Sequence, residues 1–327
     1  MIRRREFLVS SLAMLGAGVP AGSAFAQAKD FPNRPIRMIV PFAAGGGVDV
    51  FARLLGEKLK EIKGYTVVVE NRGGANGSVG GMAVKQSDAD GYTVLFSAAT
   101  HLMAQQVMKN APYDPIADFT PIARVGEAPM LLVMSPNLPQ KTIAEIVADA
   151  RKQPDKWTFA TAALGAPGHL ATIAFNKLAG VNIMIVPYRG TAPGLTDVAA
   201  GNVQLMIDPV LALLPMARGG QVKGVAVTSA KRTPLAPEIP TAAESGLPGL
   251  EHATWYGVWG PKGVPGDVVA TLNAAINEAI KALSQEGRLA KLGIEAVAET
   301  PAQFMDFARK DLARNTELLK AANFEKV

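Results

Sequence analysis

Apolar positions along this chain switch repeatedly between a continuous run and a helical spacing. Ile36-Arg37-Met38-Ile39-Val40 is a short apolar run stopped by Pro41, and the segment 48–62 then repeats apolar residues at Val50, Leu54, Leu55 and Leu59. That pattern predicts strand, glycine loop, helix. Val67-Val68-Val69 predicts a second strand closed by Glu70-Asn71-Arg72-Gly73-Gly74, followed by a helix over 79–86 and a third strand at Thr93-Val94-Leu95-Phe96. A second block begins with the strand 130–134 and alternates helix 143–151, strand 157–160, helix 169–178, strand 183–186, helix 194–200 and strand 203–207, with a further strand at 223–227. Strand and helix alternating at short spacing imply βαβ units around mostly parallel sheets flanked by helices. Two α/β lobes follow as the expectation, with residues 27–127 and 252–327 in lobe I and 128–251 in lobe II. The proline-rich stretch 234–248 is expected to carry the chain back to lobe I. From Pro265 onward Val268, Leu272, Ala275, Ile276 and Ile280 share one helical face.

The first residues change where this fold is expected to work. Arg3, Arg4 and Arg5 precede an apolar stretch from Leu8 to Val19, and Ala24-Phe25-Ala26 precedes Gln27 as a small-residue cleavage site. Residues 1–26 therefore read as a secretory signal peptide cleaved after about Ala26, since the apolar run falls short of the roughly 20 residues of a membrane span. Arg4-Arg5-Glu6-Phe7-Leu8 also fits a twin-arginine signal, except that Arg3 stands where that pattern usually has Ser or Thr. Sec and twin-arginine export both remain open. Removing this segment lowers the formal net charge from +5 to +3. That small excess shows no basic run, which argues against nucleic acid or a lipid surface as partner. The absence of cysteine excludes disulfides, thiolate catalysis, cysteine metal sites and a lipid anchor on a cleavage-site cysteine.

Ligands of open α/β sheets sit where strand ends lead into helix N-termini. Pro41-Phe42-Ala43-Ala44-Gly45-Gly46-Gly47-Val48-Asp49 is such a loop, and its glycines let backbone N–H groups approach an anion closely. It lacks the ending of a P-loop and the spacing of a dinucleotide fingerprint. A carboxylate fits it; a tight structural turn in which Asp49 caps its helix is the alternative. The loop Pro187 to Gly194 matches it in the second block, with Thr191 able to offer a hydroxyl and an N–H, and Arg189 more at home in solvent. Thr161 to His169 is a third loop of this type, in which His169 is expected to cap or support the turn. Asp208, between a strand and Pro209, is placed either to accept a hydrogen bond from a ligand ammonium or hydroxyl, or to cap a turn.

Taken in order, these segments resemble the substrate-binding receptors of tripartite tricarboxylate transporters, also called the Bug family of periplasmic receptors. The resemblance is carried by 35–42 with Gly45, Gly46 and Asp49, by Val69 to Gly77, and by Asp90-Gly91-Tyr92-Thr93. Pro187-Tyr188-Arg189-Gly190, Pro240-Thr241 with Glu244-Ser245-Gly246, and Trp255-Tyr256-Gly257 with 261–265 complete it. It implies a two-lobed periplasmic binding protein fold that closes on a small organic carboxylate and delivers it to a two-subunit integral membrane permease. It also implies a monomer needing no cofactor or metal. Carried over by position, the first-lobe site falls on Phe42, Ala43, Gly45, Gly46 and Asp49, with Asn71, Ala75 and Asn76 nearby and Ala98 to Thr100 completing the wall. The second-lobe site falls on Thr161, Gly165, His169, Tyr188, Gly190, Thr191, Ala192 and Asp208. One departure stands out: Ala166-Pro167 precede the histidine where family members often carry Ser or Thr, which favours a less polar ligand.

The competing readings are a ligand-presenting sensor for a membrane signalling system, which needs the same pocket, and an exported α/β hydrolase. No Gly-x-Ser-x-Gly elbow is present, and the three histidines show no His-Glu-x-x-His spacing, so catalysis has little support.

Overall fold

The computed structural model describes residues 31–327; the expected signal segment over 1–26 lies outside the described residues. The first half of the described chain runs β1 (Ile36–Val40), α1 (Gly47–Lys63), β2 (Val67–Asn71), α2 (Ser78–Lys85), β3 (Thr93–Ala98), α3 (Ala104–Val107) and β4 (Phe119–Met134). The chain continues with α4 (Ile143–Lys152), β5 (Thr158–Thr161), α5 (Pro167–Ala179), β6 (Met184–Pro187), α6 (Thr191–Ala200), β7 (Leu205–Pro209), α7 (Val210–Arg218) and β8 (Lys223–Val227). The chain ends with β9 (Ala253–Pro261), α8 (Gly266–Gln285), β10 (Glu295–Ala296) and α9 (Pro301–Ala321). No described helix is long and apolar enough to cross a membrane.

The strands lie in the order β2-β1-β3-β9-β4-β7-β5-β6. β1 is parallel to β2 and β3, and β5 is parallel to β6 and β7, as βαβ connections require. Between these groups run β9 and β4, antiparallel to each other and to β3 and β7 respectively. β4 changes partners along its length. Its first part, to Pro129, pairs with β9, and its last part, from Met130, pairs with β7 and β8. Pro129 stands opposite Ala253, so the chain leaves the first lobe and returns to it on two neighbouring strands. The architecture is the two-lobed α/β fold expected from the strand and helix alternation.

Side chains of β4 explain why its second half is so apolar. Met130, Leu132 and Met134 pack with Trp157, Phe159 and Phe175 on one face, while Leu131 and Val133 pack with Met206, Leu213 and Val227 on the other. A strand covered on both faces has no polar side to show. Helix α1 presents Phe51, Leu54, Leu55 and Leu59 to its sheet and ends at Gly64 in the left-handed region. Helix α9 opens with a capping box between Thr300 and Gln303 and packs on both β4 and α5.

Two segments add to the expectation. The stretch 234–248, expected to carry the chain back to lobe I, packs with the second block of strands. Val227 N–H donates to Pro240 O at 2.9 Å and accepts, at its carbonyl, Ala242 N–H at 2.8 Å. Ala236 and Ile239 enter one core face of that block, and Ala242 and Leu247 the other. The first half of β4 and the whole of β9 are strands that the apolar pattern leaves unmarked, because Pro121, Arg124, Glu127 and Pro129 interrupt it.

Candidate functional site

Helix starts from both lobes meet at one cavity. It holds about 650 Å³ of empty space, part of it open to solvent, and its lining includes Gly46, Gly47 and Val48 at the start of α1 and Ala166 and Pro167 at the start of α5. Gly190, Thr191 and Ala192 at the start of α6, and Pro209 with Ala212 at the start of α7, complete that rim. None of these four N-termini has a side-chain cap. Their free N–H groups and the positive ends of their dipoles therefore face the cavity without a protein acceptor. No Lys, Arg or His side chain lines it among the described residues, and its walls are mainly Phe42, alanines and prolines. Asp208 is its single acidic group.

The β1-α1 loop is braced from behind. Gly45, at φ +83°, donates its N–H to Asp49 Oδ2 at 2.9 Å, and Arg53 Nε reaches the same oxygen at 3.1 Å. Asn71 Nδ2 donates to Asp49 Oδ1 at 2.9 Å and to the Phe42 carbonyl at 3.1 Å. Burial pushes the Asp49 carboxyl up, but the hydrogen bonds from Arg53, Gly45 and Asn71 outweigh it and hold the group below its ordinary value. Asp49 and Asn71 thus shape the loop without lining the cavity.

The second lobe repeats the device. Gly190 N–H donates to Ala162 O at 2.9 Å, and Gly190 itself sits at φ +121°, open on its Cβ side. Thr191 donates its hydroxyl to Asp208 Oδ2. Gly168 allows this packing, since a Cβ there would lie 2.2 Å from Ile207 O and 2.9 Å from Asp208 Oδ1. Burial drives the Asp208 carboxyl up to about 7, against the lowering effect of Thr191. The Tyr188 hydroxyl is spent on Asp197 Oδ2 at 2.6 Å. His169 accepts the Gly165 N–H at Nδ1, 3.1 Å away, and burial lowers its pKa to about 4, so it is a neutral loop support.

Of the residues singled out from the sequence, Phe42, Ala43, Gly46, Ala98, Thr100, Gly190, Thr191, Ala192 and Asp208 line this cavity. Ala75, Asn76 and Tyr188 line an adjoining one of about 710 Å³, which shares Phe42, Ala43, Ala162 and Gly190 with it and has Arg189 on its wall. Gly45, Asp49, Asn71, Thr161 and Gly165 line neither, and His169 opens instead onto a groove beside α9. Sequence reasoning missed Thr254 and Tyr256, which line the main cavity from β9. The only sequence signal for them is their i, i+2 spacing on one face of a strand that the apolar pattern does not mark. Among the described residues no group of three His, Asp or Glu side chains could hold a metal ion.

Known proteins share the family and the fold of this chain. The model of the family described as tripartite tricarboxylate transporter family receptor matches residues 51–324. A UPF0065 protein in the tcbD-tcbE intergenic region of Pseudomonas sp. (strain P51) is 37% identical over 310 residues, 94% of this chain and 92% of that protein. Among solved structures, the periplasmic binding protein BugD superposes with a TM-score of 0.85 at 37% identity, covering 91% of this chain and 100% of BugD. Rpa4515 of R. palustris, solved with adipate, gives 0.87 at 34% identity, covering 91% of this chain and 100% of that one.

Proposed function

The chain belongs to the tripartite tricarboxylate transporter receptors, a family of substrate-binding receptors and not of enzymes, and on that footing we propose what it binds and where it delivers it. It captures a small organic carboxylate between its lobes in the periplasm and passes it to a two-subunit membrane permease of the tripartite tricarboxylate type. It is exported by the signal segment 1–26 and works as a monomer. The observation that carries this reading is the meeting of four uncapped helix N-termini at a cavity with no cationic side chain. Such a site holds an anion by backbone N–H groups and dipoles. The carboxylate lies against the loop of Phe42, Ala43 and Gly46 on one side and Gly190, Thr191 and Ala192 on the other. Asp49 and Asn71 keep the first loop in shape. Adipate in Rpa4515 supports the ligand class.

The lobes divide at 127/128 and 251/252, a reading supported by the exchange of β4 partners next to Pro129 and the return at Ala253. Because each lobe supplies part of the donor set, the ligand gains its full complement only on closure, which shifts the population to the closed form. A thermal-shift screen of the mature protein against mono-, di- and tricarboxylates, aromatic acids, amino acids and uncharged analogues tests this. A ligand of the native state raises the melting temperature as its concentration passes its Kd. Shifts confined to carboxylates are expected; a shift only with uncharged compounds, or turnover of a panel member, overturns the reading.

A further inference from the structure

The floor of the main cavity carries hydroxyls that the protein satisfies only in part. Thr254 and Tyr256 are two residues apart on β9, and Thr100 lies just beyond β3, whose Ala98 pairs with Tyr256. All three are buried and all three line the cavity. Thr100 Oγ1 has no hydrogen-bond partner, and Thr254 Oγ1 and Tyr256 OH interact with each other but with no third group. The Tyr256 ring is fixed edge-on against Phe51 at 5.2 Å and stacked on Phe96 at 6.3 Å, which sets its hydroxyl beneath the first residue of α1. Buried polar groups are almost always paired. One unpaired hydroxyl and a Thr254–Tyr256 pair with no partner beyond itself, on one cavity floor, mark a place that a ligand completes.

Asp208 lines the same cavity from the second lobe, with Oδ2 engaged by Thr191 and Oδ1 without a partner among the described residues. This mixture discriminates between ligand ends. A second carboxylate would meet the buried Asp208 carboxyl with no cationic side chain beside it, the helix N-termini being taken by the first. An ammonium would find one anion but four positive helix ends. A methyl end would leave the floor hydroxyls with no further partner. A hydroxyl fits, because it donates once and accepts once, as the floor requires.

We infer that the preferred ligand is a hydroxy acid with one carboxylate at the helix N-termini and, across an apolar body, a hydroxyl that donates to Asp208 and accepts from Tyr256 or Thr254. This rests on the carboxylate-receptor reading and narrows it. The walls of Phe42, Ala98, Ala162, Ala166 and Pro167 suit the body between the two polar ends.

The test is calorimetry with two matched series: hexanoate, 6-hydroxyhexanoate, 6-aminohexanoate and adipate, then benzoate, 4-hydroxybenzoate and terephthalate, with 1,6-hexanediol as the uncharged control. In at least one series the hydroxy acid is expected to bind about tenfold tighter than its parent acid, the amino acid and the diacid. Tyr256→Phe and Asp208→Asn, each checked for a cooperative melting transition, are expected to bring the ratio of hydroxy-acid to parent-acid affinity to within about twofold of one. A diacid, amino acid or parent acid as the tightest ligand in both series overturns the inference with the receptor reading intact. So does a hydroxyl preference that survives both substitutions. Binding of hexanediol without binding of any carboxylate, or no binding by any acid, overturns the receptor reading as well.

Discussion

The side-chain oxygen of Asn76 accepts a hydrogen bond from the backbone N–H of Leu164 at 3.3 Å, joining the lobes across the cleft. Beside this link, Gly165 sits so close to the first lobe that a Cβ would lie 2.8 Å from Met103 Cβ. Ala75 and Asn76 hold positive φ of 44° and 53°, unusual for residues with a side chain. Backbone cost of this kind is kept where surrounding contacts demand it, and here the contact is the link to the other lobe.

Asn76→Gly is therefore expected to keep the backbone conformation, which glycine adopts freely, while removing the link. The closed form loses one hydrogen bond, worth roughly 1 kcal/mol or about fivefold in affinity. The change should appear as faster ligand release in stopped-flow fluorescence, with the melting temperature of the free protein within about 2 °C of the parent. Unchanged release would show that Asn76 does not hold the lobes together.

Gly46 has φ −77°, and a Cβ there meets only Ala43 O at 3.7 Å. Gly46→Val is thus expected to fold normally and to fill the place where an anion approaches α1. Carboxylate affinity should fall by about a hundredfold, in line with an overpacked contact of roughly 3 kcal/mol. Retained tight binding in calorimetry would remove this loop from the anion site.

Asp49 ties together Gly45, Arg53 and Asn71. Its carboxyl is held below the ordinary value by those partners despite burial. A carboxyl lowered on folding contributes stability above its unfolded pKa and loses it as pH falls through the folded one. Asp49→Asn is expected to cost about 1–3 kcal/mol at pH 7 and progressively less in acid. Urea unfolding at pH 7 and pH 3 reads both ends; an equal loss at both would mean that the charge is not what braces the loop.

Much of this site was legible because glycine loops after apolar runs are a local signal. Gly45 to Gly47, Gly165 and Gly190 all sit between a strand and a helix as their spacing indicates. The division of labour within the loops was not legible. The resemblance places Asp49, Asn71 and His169 in the site, whereas their polar atoms engage Gly45, Phe42 and Gly165, which for His169 is the loop-supporting role its own position suggests. Beyond their i, i+2 spacing and the Tyr256 motif, Thr254 and Tyr256 are not marked as a site, since their strand is buried throughout from Thr254 to Pro261 and shows no polar face. That their hydroxyls lack a partner beyond each other depends on what β3, α1 and β7 bring near them, which is set by packing. Helix α7 was likewise hidden by Pro215 inside it.

Stability and pH are linked through Asp208. Burial raises its carboxyl from 3.8 to about 7, so between those values the folded chain holds a proton that the unfolded chain has released. Its contribution is fully present below about pH 4 and is lost as pH rises through about 7, the sign opposite to that of Asp49. The buried histidines act the other way over part of this range. His101 is lowered to about 3 and His169 and His252 to about 4 by burial, His252 also by Arg314, and each favours the folded state as pH rises to the ordinary value of 6.5. The raw stability curve therefore mixes signs, and the informative quantity is the difference between the parent and Asp208→Asn. The two proteins should melt together near pH 4.5, where Asp208 is neutral. By pH 8 the variant should be the more stable by several degrees, an increment on the order of 3 kcal/mol. A difference independent of pH would mean that Asp208 stays ionised in the cavity, with a compensating charge beside it.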